Sequence, residues 1–135
     1  MRNYEELKVY QMSETLVVEV YKSTQTFPSE ERFGLTAHLR KTALSIPSNI
    51  AEGSGRNGDR EYYNFLNIAI GSANELECQL QIAYRLDYLT EHSLNTLKDT
   101  VIQIRKMLFA IMRGLRQQVT RSEPRALSLD TRRLK

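Results

Sequence analysis

The chain has 135 residues, 41% apolar and 26% charged, a composition that fits one globular domain and excludes a wholly disordered chain, a collagen-like repeat and a disulfide scaffold. Its apolar runs are short, as in Leu16-Val17-Val18, and Glu5, Glu6 and Lys8 stand where a signal peptide would be apolar, so we expect neither a membrane span nor a leader and place the protein in the cytoplasm. The formal charge of +3 is confined to the end: residues 1–118 hold fourteen Lys or Arg against fourteen Asp or Glu, and residues 119–135 hold five against two.

Helical periodicity marks four segments, and nothing has the pattern of a strand. The first runs from Glu5 to Thr24, with Val9, Met12, Leu16, Val17 and Val20 on a broad apolar side, and stops before Phe27-Pro28. Ser29 then stands where an N-cap would satisfy free backbone donors, with Glu30 and Glu31 suited to the positive end of the next helix. That second helix carries Thr36, Leu39, Ala43, Ile46 and Ile50 at spacings of three and four, a seam for a facing helix. The third begins near Asp59 and continues through Tyr62, Leu66, Ala69, Ala73, Leu76, Leu80 and Ala83. The fourth begins near Thr90 or Ser93 and has the cleanest stripe: Leu94, Leu97, Val101, Ile104, Leu108, Ile111 and Leu115.

Short connections at Gln25 to Pro28, Gly53 to Gly58 and Tyr88 to Thr90 favour antiparallel neighbours. The expected fold is therefore all-α, an antiparallel up-down-up-down four-helix bundle over residues 1–118. Residues 119–135 form a basic tail without sustained apolar period, expected to be disordered or ordered by a partner.

Two helices carry apolar residues away from their main stripe. Ile102 and Phe109 fall more than a quarter-turn from the centre of the fourth stripe, and Ile68, Ile82 and Leu86 cluster nearly opposite Leu66, Ala73 and Leu80. Burial on two sides points to self-assembly through these five residues, with a wide core contact as the alternative.

Charge is polarised within the balanced body. The segment Gly58 to Asp87 sums to −3 and Lys98 to Gln118 to +4. Such faces are simply solvated, pair neighbouring helices, or display cations to phosphate.

The most unusual stretch is Ser45-Ile46-Pro47-Ser48-Asn49-Ile50-Ala51-Glu52-Gly53-Ser54-Gly55-Arg56. Pro47 removes a backbone donor inside a helical stripe and crowds the carbonyl near Ala43, so a kink or reset is expected, with Ser48 and Asn49 serving the freed groups. Gly53 and Gly55 are expected to end the helix through a left-handed cap. Gly53-Ser54-Gly55-Arg56-Asn57-Gly58 also spells G-x-G-x-x-G, but the dinucleotide mechanism needs a preceding strand, and this run leaves a helix. It is a helix-to-helix turn, whose amides beside Arg56 and Arg60 have room for one phosphate group at most.

No catalytic constellation is present. Glu52, Glu75 and Glu77 lack a paired general acid, Ser54 lacks a histidine base, and His38 and His92 stand alone, so we expect no enzyme activity, no metal site and no cofactor. Cys78 has no disulfide partner and reads as a small apolar filler.

Three stretches carry a family likeness. Tyr4-Glu5-Glu6-Leu7-Lys8-Val9-Tyr10-Gln11, then Leu39-Arg40-Lys41-Thr42-Ala43 through the Pro47 segment, then Gly71-Ser72-Ala73-Asn74-Glu75-Leu76-Glu77, resemble the bacterial four-helix proteins encoded in intervening sequences of large-subunit ribosomal RNA genes. The likeness covers about residues 4 to 116. Tyr10 stands where tryptophan is common, and Lys41-Thr42 where Arg-Ala is. It implies a bundle that assembles into a ring, commonly of five chains, without established enzymatic activity. Related accessory subunits of diversity-generating retroelements bind nucleic acid and a reverse transcriptase.

The expected function is a non-enzymatic homo-oligomer that binds RNA or DNA by phosphate attraction, alone or while holding a reverse transcriptase. Its contacts would be Arg40, Lys41, Arg56, Arg60, Lys98, Arg105, Lys106, Arg113 and Arg116, helped by the tail. A protein-only adaptor, pairing its basic faces with the acidic third helix of a neighbour, is the alternative.

Overall fold

A computed structural model describes residues 2–122. Its helices are α1 (Lys8–Thr24), α2 (Leu35–Ser54), α3 (Asp59–Arg85) and α4 (Glu91–Ser122), with short 3₁₀ turns at Tyr4–Glu6 and Ser29–Glu31. Among the described residues there is no strand, and no helix is long and apolar enough to cross a membrane. The fold is an all-α four-helix bundle. Helix α1 packs on α2 and α4, and α3 on the same two, so α1 and α3 are diagonal, as are α2 and α4. Of the expected tail, residues 119–122 continue the backbone of α4, and the rest lies outside the described residues.

The core is built from the predicted stripes. Leu16, Val20, Leu39, Ala43, Ile46, Ile50, Leu66, Ala73, Leu76, Val101, Ile104 and Leu108 are all buried. At roughly 1.5–3 kcal/mol for each large apolar side chain removed from water, this layer outweighs any single surface contact. Near the end of α4 the stripe shifts: Met112 is buried, and Ile111 is only partly so.

The helices depart from expectation at three places, two of them at helix ends. Ser29 does not cap α2, which starts at Leu35 after Gly34. The Glu31 carboxylate instead accepts the Leu35 N–H at 3.2 Å through Oε1, while its Oε2 accepts the Tyr88 hydroxyl at 3.0 Å. One side chain thus ties the start of α2 to the α3–α4 turn. Proline does not reset α2, which runs continuously across Pro47. Ser48 Oγ donates to the Leu44 carbonyl and Asn49 Nδ2 to that of Ser45, rather than to the Ala43 carbonyl left without its usual donor.

Nor is the end of α2 a left-handed glycine cap, since no described glycine has positive φ and Gly55 lies at φ −84°. Gly53 serves a different purpose. It is buried, and a Cβ there would stand 2.6 Å from Phe65 Cβ and 3.1 Å from Tyr62 Cδ1. The missing side chain lets α2 touch the first turns of α3. Farther along the same pair, Ser45 and Ser72 share a hydrogen bond at 2.7 Å, supported by Asn49 Nδ2 donating to Ser45 Oγ at 3.0 Å.

The left-handed residue lies at the end of α3 and is Asp87, with φ 64°. Tyr88 N–H reaches the Ala83 carbonyl and Asp87 N–H that of Tyr84, both at 2.9 Å, which is the paired bonding of a Schellman cap. Helix α4 then begins behind Thr90, whose Oγ1 accepts the Ser93 N–H at 3.0 Å.

Two stability outcomes follow, both measurable by urea denaturation. Gly53→Ala should cost about 1–3 kcal/mol, because the closer of the opposing atoms, Phe65 Cβ, is bonded directly to the backbone of α3 and cannot swing aside. Asp87→Gly should stabilise by roughly 0.5–1 kcal/mol, since glycine adopts the left-handed conformation without steric penalty.

Candidate nucleic-acid interface

The outer seam between α3 and α4 gathers most of the unusual side chains. On α3, Tyr63, Asn67, Ile70, Asn74 and Glu77 recur at spacings of three and four, so they line one edge. On α4, Lys98, Arg105, Phe109, Met112 and Arg116 line the other. Two grooves result. One, of about 330 Å³, is formed by Tyr63, Asn67, Ile70, Phe109, Met112, Arg113 and Arg116. The second, of about 480 Å³, is formed by Asn74, Glu77, Cys78, Gln81, Lys98 and Arg105.

The nine predicted cations do not form one face. Arg40 is turned toward α1, where its Nε donates to Thr24 Oγ1 at 2.9 Å and its guanidinium lies 4.6 Å from the Tyr21 ring centre. Lys41 is exposed on α2, diagonally across the bundle from α4. Arg56 pairs with Glu52 at 2.6 Å and covers the Phe65 ring at 4.8 Å, while Arg60 is exposed in the first turn of α3. The turn spelling G-x-G-x-x-G therefore directs its arginine to a carboxylate. At that end Arg2 also pairs with Asp59.

The α4 cations divide into two kinds. Arg105 is partly buried and compensated, with Nη1 donating to Glu77 Oε1 at 2.8 Å and to Asn74 Oδ1 at 2.9 Å. Arg116 Nη2 donates to the Tyr63 hydroxyl at 2.9 Å. By contrast, the side chains of Lys98, Lys106 and Arg113 have no ion pair or hydrogen bond among the described residues. Sequence separation hid this division, because Glu77 and Arg105 lie on different helices and meet only through packing.

The apolar candidates are also distributed. Ile68, Ile82 and Leu86 are exposed on the outer face of α3, at 51%, 47% and 48%. Ile102 is partly buried, and Phe109, 44% exposed, lines the first groove beside Arg113. A second apolar surface escaped sequence reading: Tyr10, Val17, Val18, Leu44 and Pro47 line a groove between α1 and α2, with Val18 and Leu44 substantially exposed. Leu44 falls just off the α2 stripe, the one signal available for it. Cys78 is exposed in the second groove, not the buried filler its residue type implied, because it lies on the α3 edge facing outward.

Perturbed phenols lie outside the two grooves of the α3–α4 seam. Burial pushes Tyr62 upward, partly offset by the Arg2 guanidinium 4.4 Å from its ring centre. The hydrogen bond to Glu31 raises Tyr88, and loss of hydration followed by the bond to Glu14 raises Tyr10. These shifts accompany structural contacts. Among the described residues, no group of three His, Cys, Asp or Glu is placed to hold a metal ion.

An all-α four-helix bundle whose last helix carries three cations, Lys98, Lys106 and Arg113, without a carboxylate partner among the described residues is the class that fold and surface define. Residues 5–110 match the 23S rRNA-intervening sequence protein family, and the chain belongs to that family. It is also similar to a crystal structure from Bacteroides thetaiotaomicron VPI-5482, described as a protein with unknown function from the S23 ribosomal protein family. That likeness has 25% identity and a TM-score of 0.72, covering 78% of this chain and 95% of that one. Comparison with curated proteins finds no match.

Neutralisation of Arg105 by Glu77 has a measurable consequence. Glu77→Gln should move elution from a heparin column to higher salt, because it releases the Arg105 guanidinium. Arg105→Gln, which leaves the Glu77 carboxylate without its counter-charge, should move elution to lower salt, whereas Glu77→Gln and Arg105→Gln combined should leave it nearly where the unaltered chain elutes.

Proposed function

We propose that the protein is a non-enzymatic, self-associating helical scaffold that binds nucleic acid, RNA in the first place, through the α4 side of the α3–α4 seam. The observation that carries this is the absence of carboxylate partners, among the described residues, for Lys98, Lys106 and Arg113. Charges that the fold leaves uncompensated are available to phosphate, whereas Arg105 and Arg56 already have counter-charges. The family's name, with its reference to 23S rRNA, favours RNA.

Self-association rests on apolar surface in two unlike places, the outer face of α3 and the α1–α2 groove. Unlike patches that fit one another generate head-to-tail contacts, which close into a ring when the rotation permits. A ring repeats the α4 cations around one assembly and multiplies a weak single-copy attraction. The protein-only adaptor has less support, because Glu77 on acidic α3 is already engaged by Arg105 of the same chain.

Fluorescence anisotropy with a labelled RNA, between about 50 and 200 mM salt, tests the phosphate attraction. Affinity should fall steeply across that range. Replacing Lys98, Lys106 and Arg113 together with Gln should flatten the log–log salt slope by about 2. Binding that is undetectable at low salt, or indifferent to the triple change, overturns the proposal. Light scattering on Ile68→Glu/Ile82→Glu should report a smaller species than the unaltered chain.

A further inference from the structure

We propose that the groove lined by Tyr63, Asn67, Phe109, Arg113 and Arg116 receives one unpaired nucleotide of a single-stranded RNA, its base stacked on Phe109 and its phosphate on Arg113. The inference rests on the nucleic-acid function proposed above and goes further, because phosphate attraction alone does not distinguish paired from unpaired strands.

Composition separates this groove from its neighbour. Its lining contains two arginines and no carboxylate, whereas the adjacent groove contains Glu77 bound to Arg105. The site is thus suited to an anion, and Arg113 is exposed without a polar partner among the described residues. Arg116 is held by the Tyr63 hydroxyl at 2.9 Å, so a second guanidinium is fixed at the same place.

The remaining lining is apolar or amide. Ile70 and Met112 are buried and form a water-poor floor, while Phe109 beside them is 44% exposed. An aromatic ring left half in water, four residues before a free arginine on the same helix, matches the pairing used for single strands, where a base stacks and its phosphate meets a cation. Asn67, exposed on the opposite lip, offers both a donor and an acceptor to a base edge. The groove's volume of about 330 Å³ lies within the range of small-ligand sites. A duplex keeps its bases paired and stacked, so it presents only phosphate here.

The test compares three labelled probes of equal length on the full chain: an unstructured RNA, the same strand with abasic sites, and a duplex. The base-bearing single strand should bind at least about fivefold more tightly than the abasic one, the lower end expected for one stacked base. Phe109→Ala should abolish that difference and Phe109→Tyr should keep it, while Arg113→Gln should weaken all three probes.

Equal affinity of the unaltered chain for the base-bearing and abasic strands overturns the nucleotide site but leaves phosphate binding standing. Failure of every probe to bind removes both. A drop in assembly mass for Phe109→Ala by light scattering would show that another copy covers the groove, and this too overturns the nucleotide site.

Discussion

Helix α3 is held against two neighbours at once, and the accessible surface depends on that double contact. Toward α2 the approach is close enough that position 53 has no room for a methyl group, and Ser45 and Ser72 bridge the same pair farther along. Toward α4, Tyr63 and Ile70 are buried and Glu77 reaches Arg105. A helix fixed on both flanks has little freedom to rotate. Its remaining side therefore presents Asn67, Ile68, Asn74, Cys78, Ile82 and Leu86 outward.

That constraint also sorts the charges. The third helix is acidic and the fourth basic, so packing them side by side cancels part of each field within the molecule. Arg105 is spent in this way, whereas Lys98, Lys106 and Arg113 escape because no carboxylate of α3 reaches them. The result is a narrower basic row than a count of lysines and arginines implies. Apolar Phe109 stands inside it, so greasy and cationic surface are adjacent in one groove. Adjacency of that kind suits an aromatic anion better than bare phosphate.

Much of the architecture was legible because helical packing repeats locally. Residues three and four apart share a face whatever the rest of the chain does, and Leu39, Ile46, Leu66, Leu76, Val101 and Ile104 are all buried as their spacing implies. Exposure of Ile68, Ile82 and Leu86 follows from the same rule. Signals at helix ends were harder to read, because several residues compete to satisfy the same free amides. Glu31 caps α2 from four residues away although Ser29 is of a favoured capping type, and Asp87 takes the left-handed place that glycine usually holds.

From its order of residues alone, the chain determined four amphipathic helices, their core faces and the net charge along each, since all of these depend on neighbours within a few positions. Only the tertiary structure decided which charges cancel, what Gly53 is for, and that Phe109 shares a groove with Arg113 and Arg116. Those properties come from pairs such as Glu77 with Arg105 and Gly53 with Phe65, placed on different helices. Their meeting is set by how the helices are seated, and no periodicity within a single helix encodes it.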